Sequence, residues 1–287
     1  MKSIEEYDQE IKHDPSNADL YRLRGIEYAS KGDYDHAILD YDQANKLNPN
    51  CAKTYNNRGL VYRQKGNFNQ AIKDFEQAIR LDSSFARPYI NKGITFELMN
   101  EPDKALADYC KAIQIDPNDA DAHFNRGGVY ASAGSAYIYG KNDIEQGYKF
   151  VDQAIADYNQ AIKLDSKNAN FYFYCGAAYA SKKDLDQAII NFDQAIKYYP
   201  DYANAYWYRG NAYRDKKEFN KAIIDYERAI QLNPDYVNIY NDRAFMYYYE
   251  LHDYTKAIAD WESILKLDPN DSKFSVRTKI ETAKMKM

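Results

Sequence analysis

The chain is predicted to be all-α, a solenoid of stacked helix pairs, and three features of the sequence carry that expectation. Glycine recurs at Gly25, Gly59, Gly93 and Gly127, each 34 residues after the last, and again in the same role at Gly176 and Gly210. Alanine follows five of these glycines twelve and nineteen residues later, at Ala37 and Ala44, Ala71 and Ala78, Ala105 and Ala112, Ala188 and Ala195, Ala222 and Ala229, with Tyr41, Phe75, Tyr109, Phe192 and Tyr226 between the pairs. Proline closes most units, at Pro49, Pro117, Pro200, Pro234 and Pro269, and Ser83 and Ser166 stand in its place twice. A fixed period in this range marks a repeat architecture, in which one unit cannot bury its apolar face alone and neighbours stack to do so. Two separate globular domains, the division that length alone would favour, is the weaker reading.

The repeated motif reads Tyr55-Asn56-Asn57-Arg58-Gly59-Leu60-Val61-Tyr62, then Ala71, Phe75 and Ala78. It resembles the tetratricopeptide repeat, whose pattern has W-x-x-L-G-x-x-Y, A-x-x-x-F and P. The resemblance covers nearly the whole chain and implies a right-handed superhelical solenoid of helix hairpins. With the glycine at position 8, repeats span 18–51, 52–85, 86–119, 120–168, 169–202, 203–236 and 237–271, between an N-terminal half repeat, 1–17, and a capping helix, 272–287.

The elements follow in order. Ser3 to His13 reads as a helix with Ile4, Tyr7 and Ile11 on one stripe and Asp14-Pro15 ending it. Glu10 stands where later repeats need a small residue, so this helix is expected to be an N-terminal cap rather than the remnant of a longer array. In each repeat, glycine at position 8 and alanine at positions 20 and 27 let two helices approach, and large residues at positions 4, 11 and 24 fill the space between them. Gly32 and Gly66 are placed for the left-handed turn, and Asp33 and Asn67 to cap the second helix. Position 7 is basic in six of seven repeats, at Arg24, Arg58, Lys92, Arg126, Arg209 and Arg243, and position 23 is Asp in the same six, at Asp40, Asp74, Asp108, Asp157, Asp225 and Asp260. Both change together in the fifth, to Cys175 and Asn191, so these positions are expected to pair.

In the fourth repeat Gly127 to Ala154 spans 27 residues where the others need 12, an insertion of 15. Fifteen residues make about four helical turns, so helices over 120–139 and 143–163, each about two turns longer than its counterpart, would project without disturbing the stack. Asn142 and Glu145 are spaced as a cap pair, and Gly140 as a stop. The seventh repeat is degenerate, with Ala244 for glycine and Ile264 for alanine, as expected at an array's end. A last amphipathic helix over 271–287 would turn Val276, Ile280 and Ala283 inward and Lys273, Arg277, Lys279 and Lys284 outward.

A net charge of -5 and a pI of about 5.5 argue against nucleic acid as partner. No run approaches the roughly 18 apolar residues that span a bilayer, and the N-terminus lacks a signal-peptide core, so a cytoplasmic protein is expected. Cys51, Cys110 and Cys175 form no C-x-x-C and read as reduced structural thiols. His13, His36, His123 and His252 share no metal spacing and no nucleophile–base pair, so no enzyme, metal or cofactor is expected.

What remains is surface. Positions 2, 5, 6, 9, 12 and 13 of the first helix share a face that the packing pattern does not use. In tetratricopeptide arrays that face lines a concave groove, and the resemblance implies that it receives a peptide. The groove residues expected here are Arg22, Lys53, Asn57, Arg63, Arg87, Asn91, Phe124, Asn125, Phe173, Tyr174, Trp207 and Tyr208. The four cations would suit an acidic side chain or terminal carboxylate, the asparagines a peptide backbone, and the aromatics an apolar segment.

Against carboxylate-clamp co-chaperones the chain has Arg22, Asn57 and Arg87 in place but Ile26 and Asn91 where Asn and a base are needed. Asn57, Asn91 and Asn125 are similar to the asparagine ladder in the superhelical domain of O-linked N-acetylglucosamine transferase. The expected function is therefore a non-enzymatic adaptor for a protein or peptide, monomeric in preference to dimeric, with a self-assembling element as the alternative.

Overall fold

The computed structural model describes residues 2–270 and 274–287. Among them are sixteen α-helices, two π-turns and no strand. Met1–Val129 forms one compact unit and Tyr130–Met287 a second, the boundary falling inside one helix.

The first unit holds α1 (Ile4–His13), α2 (Ala18–Ser30), α3 (Tyr34–Leu47), α4 (Ala52–Gln64), α5 (Phe68–Leu81), α6 (Ala86–Leu98), α7 (Pro102–Ile115) and the start of α8 (Ala120–Ser135). α1 begins with a full capping box between Ser3 and Glu6 and buries Tyr7 and Ile11, as the sequence predicts. α2 with α3, α4 with α5 and α6 with α7 are the expected hairpins. The reason for the glycine period is direct: a Cβ on Gly59 would lie 2.6 Å from Cε1 of Phe75, the position 24 ring of the same hairpin, which is fully buried. Gly32 and Gly66 take the left-handed turn, at φ 79 and 75. Asp33 caps α3 by accepting from the His36 amide, whereas Asn67 makes no such bond, contrary to the expectation.

The second unit holds the rest of α8, a π-turn Ala136–Gly140, α9 (Ile144–Leu164), α10 (Ala169–Ser181), α11 (Leu185–Tyr198), α12 (Ala203–Asp215), α13 (Phe219–Leu232), α14 (Val237–Phe245), a π-turn Met246–Glu250, α15 (Tyr254–Leu267) and α16 (Val276–Lys284). The insertion is helical on both sides. α8 with its π-turn and α9 are 21 residues each, against 13 and 14 for α10 and α11. The cap differs from expectation: Asn142 takes the left-handed turn, at φ 54, and Asp143 next to it caps α9 through the Gln146 amide. α16 buries Val276, Ile280 and Ala283 beside Trp261 and Ile264 of α15. The expected start of this helix at Asp271, and Lys273 with it, lie outside the described residues. No helix among the described residues is long and apolar enough to cross a membrane.

The predicted pairing of positions 7 and 23 is present in both units. Arg58 clasps Asp74 through Nε and Nη2, at 2.8 and 2.7 Å, and its Nη1 donates to Asp42 of the preceding hairpin. Arg24 bridges Asp40 and Asp8 in the same way, and Arg209 bridges Asp225 and Asp193. Lys92 meets Asp108 at 3.2 Å, and Arg243 meets Asp260 at 2.7 Å. Each such arginine therefore ties a hairpin together; Arg58 and Arg209 also reach the hairpin before, and Arg24 reaches α1. In the exceptional repeat Cys175 instead lies 3.7 Å from Asn159, with its thiol pushed up to about 12 by burial.

Candidate functional site

In the first unit the groove register runs along α2, α4, α6 and the start of α8. Arg22 is half-buried and donates from Nε and Nη2 to Asp19, at 3.0 and 2.7 Å. Arg87 is exposed and held by Asp119 and Asp121, at 3.2 and 3.0 Å. Arg22 and Arg87, two of the four cations expected to suit an acid, thus already have carboxylate partners within the chain. Lys53 is exposed and lines a shallow cavity of about 480 Å³ with Asp19, Arg22, Asn48, Asp82 and Phe85.

The three asparagines do not form a ladder of equals. Asn91 is buried, its amide donates to Asn56 Oδ1 at 2.9 Å, and its carbonyl accepts from Thr95 Oγ1 at 2.7 Å and from Arg63 at 3.3 Å. Its place in a peptide-binding ladder is therefore corrected: a buried amide already bonded across two helices has little left to offer a ligand. Asn57 and Asn125 are half-buried and make no side-chain hydrogen bond among the described residues. Phe124 is half-buried beside Asn125 on α8.

In the second unit the aromatics gather. Phe173 is 7% exposed and touches Tyr174, Tyr202 and Tyr208 at ring-centroid distances of 5.2, 5.0 and 5.2 Å. Tyr208 continues edge-on to Trp207, which continues edge-on to Tyr236, each at 5.0 Å. Edge-to-face packing of this kind stabilises the rings against one another. Phe173 is consequently core and not groove lining, because its neighbours enclose it. Trp207 is half-buried, and its indole N–H donates to Asp242 Oδ2 at 2.7 Å, so it ties α12 to α14. Tyr174 is the open member of the group at 45% exposed.

Residues that the sequence reading passed over complete this face. Asn211 donates to Asp242 at 3.4 Å and accepts from the Tyr226 hydroxyl at 2.7 Å, while Arg214 donates to Asp215. Burial raises Asp242 above the ordinary carboxylate range, against the bonds from Trp207 and Asn211. Positions 9 and 12 were available as the signal, but only their partners show the cluster. The tip of the insertion also contributes: Ser135 and Tyr139 share a cleft of about 380 Å³ with Ala177, Ala180, Tyr208 and Asn211. Among the described residues no group of His, Cys, Asp or Glu could hold a metal ion.

The tetratricopeptide repeat model matches residues 52–85, and a second TPR repeat model matches 25–65, 98–134, 151–183, 176–214 and 210–248. No curated protein matches the chain as a whole. Similar solved structures include YrrB, described as a TPR protein with an unusual peptide-binding site, at 24% identity and TM-score 0.51 over 71% of this chain and 97% of that one. The C-terminal part of a TPR repeat-containing protein from Cytophaga hutchinsonii has 20% identity and TM-score 0.64, over 88% and 96%. Pseudomonas aeruginosa pilF has 16% identity and TM-score 0.63, over 76% and 92%. At these identities the structures establish the fold, and with repeat models covering more than half of its length, this chain belongs to the tetratricopeptide repeat family.

Proposed function

We propose that the chain is a non-enzymatic interaction scaffold that takes an extended segment of a partner protein on the first-helix face of its repeats. The observation that carries this reading is that two groove-register side chains keep their hydrogen-bonding groups available: the side-chain amides of Asn57 and Asn125 make no hydrogen bond among the described residues. Tyr174, packed against Phe173 and Tyr158, still presents 45% of its surface on the same face. Free amides satisfy peptide N–H and C=O groups, and an exposed aromatic on a rigid element is the material of a binding hot spot. The peptide-binding description printed for YrrB accords with it.

The test is site-specific photo-crosslinking of a co-purifying protein from probes at Asn57 and Tyr174, against a probe at Leu39, which is 63% exposed on the second-helix side. Crosslinks to one partner at the first two positions and none at the third are expected; equal labelling at Leu39 would sink the groove reading. Light scattering addresses self-assembly. A monomer is expected, because Phe173, Trp207 and Tyr208 pack on aromatic rings of the chain itself.

A further inference from the structure

Six half-buried arginines of this fold come with carboxylates. Arg24, Arg58 and Arg209 each sit between two aspartates, Arg243 on one, and Arg22 and Arg214 on an aspartate of their own helix. Arg63 departs from this. It lies half-buried near the C-terminal end of α4, and among the described residues no carboxylate is in ion-pair contact with it. Its one hydrogen bond is to the Asn91 carbonyl at 3.3 Å, an oxygen that Thr95 already occupies at 2.7 Å. Burial without a counter-ion holds the guanidinium below the usual arginine range.

A guanidinium has five N–H donors in a planar fork, and leaving it half-desolvated without an anion is unfavourable unless something else meets it. The neighbouring acid does not. Glu97 stands at the same register on α6, but its carboxylate accepts from the Tyr109 hydroxyl and forms no ion pair with Arg63. Position 12, where Arg63 sits, belongs to the face that packing does not use.

We propose that Arg63 is the anion-receiving subsite of the first unit, taking a carboxylate of a bound acidic peptide in bidentate geometry. This rests on the groove reading above and moves the acidic contact from Arg22 and Arg87, which the chain neutralises itself, to Arg63. An incoming carboxylate supplies the two coplanar oxygens that this half-buried fork lacks among the described residues. The carboxylate has two sources, an Asp or Glu side chain or a chain terminus.

The test uses fluorescent hexaglutamate amide, hexaglutamine amide, and hexaglutamine with a free C-terminal carboxylate, titrated by anisotropy against the full chain at low salt. At least tenfold preference for a carboxylate-bearing peptide is expected, lost in Arg63→Gln, clearly weakened in Arg63→Lys, which keeps the charge but not the fork, and changed less than twofold in Arg22→Gln or Arg87→Gln. Preference for hexaglutamate assigns the side-chain source, and preference for the free-acid hexaglutamine the terminus. Arg63→Gln should melt no lower than the parent, since it removes an uncompensated charge. A preference that survives Arg63→Gln, or no preference at all, overturns the proposal while leaving the crosslinking test of the groove to stand or fall separately.

Discussion

A guanidinium clasped by two buried oxygens is costly to interrupt, and Arg58 shows how the repeats use that. Its side chain is 15% exposed and Asp74's 4%, so removing the cation strands a nearly dry carboxylate. Arg58→Gln should lower stability by about 3 kcal/mol, read as a shifted urea midpoint at unchanged slope. Burial raises the carboxyl of Asp74 and, further, that of Asp108. Burial pushes Asp108 up to about 6, outweighing the pull of Lys92. Because its folded pKa lies above the ordinary carboxylate value of 3.8, the stabilisation belongs to the protonated form: it is fully present below about pH 4 and lost as pH rises through about 6. Asp108→Asn should therefore gain on the parent by about 1–3 kcal/mol between pH 4 and pH 7; a constant difference across that range would refute it. The pairing of positions 7 and 23 was legible because both change together at Cys175 and Asn191. The third member was not, since the position holding Asp42 and Asp193 also holds Cys110 and Asn159, and a position without a constant residue gives no period to read.

At the scale of elements, the insertion shows what arithmetic reads and what it misses. Fifteen extra residues and unbroken helical spacing from Ile144 to Tyr158 foretold two longer helices. Gly134 and Gly147 would ordinarily weaken such a hairpin. Here they are its contact point: a Cβ on Gly147 would meet Ile138 Cγ1 at 2.4 Å and the Gly134 carbonyl at 3.0 Å, and one on Gly134 would meet Val151 Cγ2 at 2.6 Å. The crossing is too close for any side chain, which propensity alone cannot disclose. Gly147→Ala should cost about 1–3 kcal/mol by forcing the helices apart, although alanine favours an isolated helix. In-register deletion of residues 134–148 should nonetheless leave a folded protein with one cooperative melt of its array. It places Lys149 at the left-handed turn position that Lys183 and Lys217 already occupy at φ 64 and 63. A molten product, with helical signal but no cooperative transition, would place the hairpin in the core.

For the whole molecule, the repeat logic makes stability a matter of nearest neighbours, so that each hairpin needs a cover on its open side. The covering surfaces were readable from periodicity; the groove was not, because a side chain on an unused face is judged by its partners. Asn91 shares its repeat position with exposed Tyr174, and Phe173 shares its own with half-buried Arg22, Phe124 and Trp207, yet both are enclosed, the first by Asn56 and the second by three tyrosines. Neighbour dependence can be tested at α16, whose Val276, Ile280 and Ala283 cover α15. Both tryptophans of the chain, Trp207 and Trp261, lie in the second unit, and Trp261 is 1% exposed. In a Trp207→Phe background the remaining indole reports on that one junction. Removing residues 275–287 takes away the buried side chains of Val276 and Ile280, each worth about 1.5–3 kcal/mol of burial, and uncovers the face of α15 they pack on. The emission of Trp261 should shift to the red and become open to iodide quenching, and the fluorescence-detected melt should fall by several degrees. Emission that stays blue and unquenched after the deletion would mean that α15 is closed by α14 and the Met246–Glu250 turn alone, and that α16 is dispensable to the hairpin it covers.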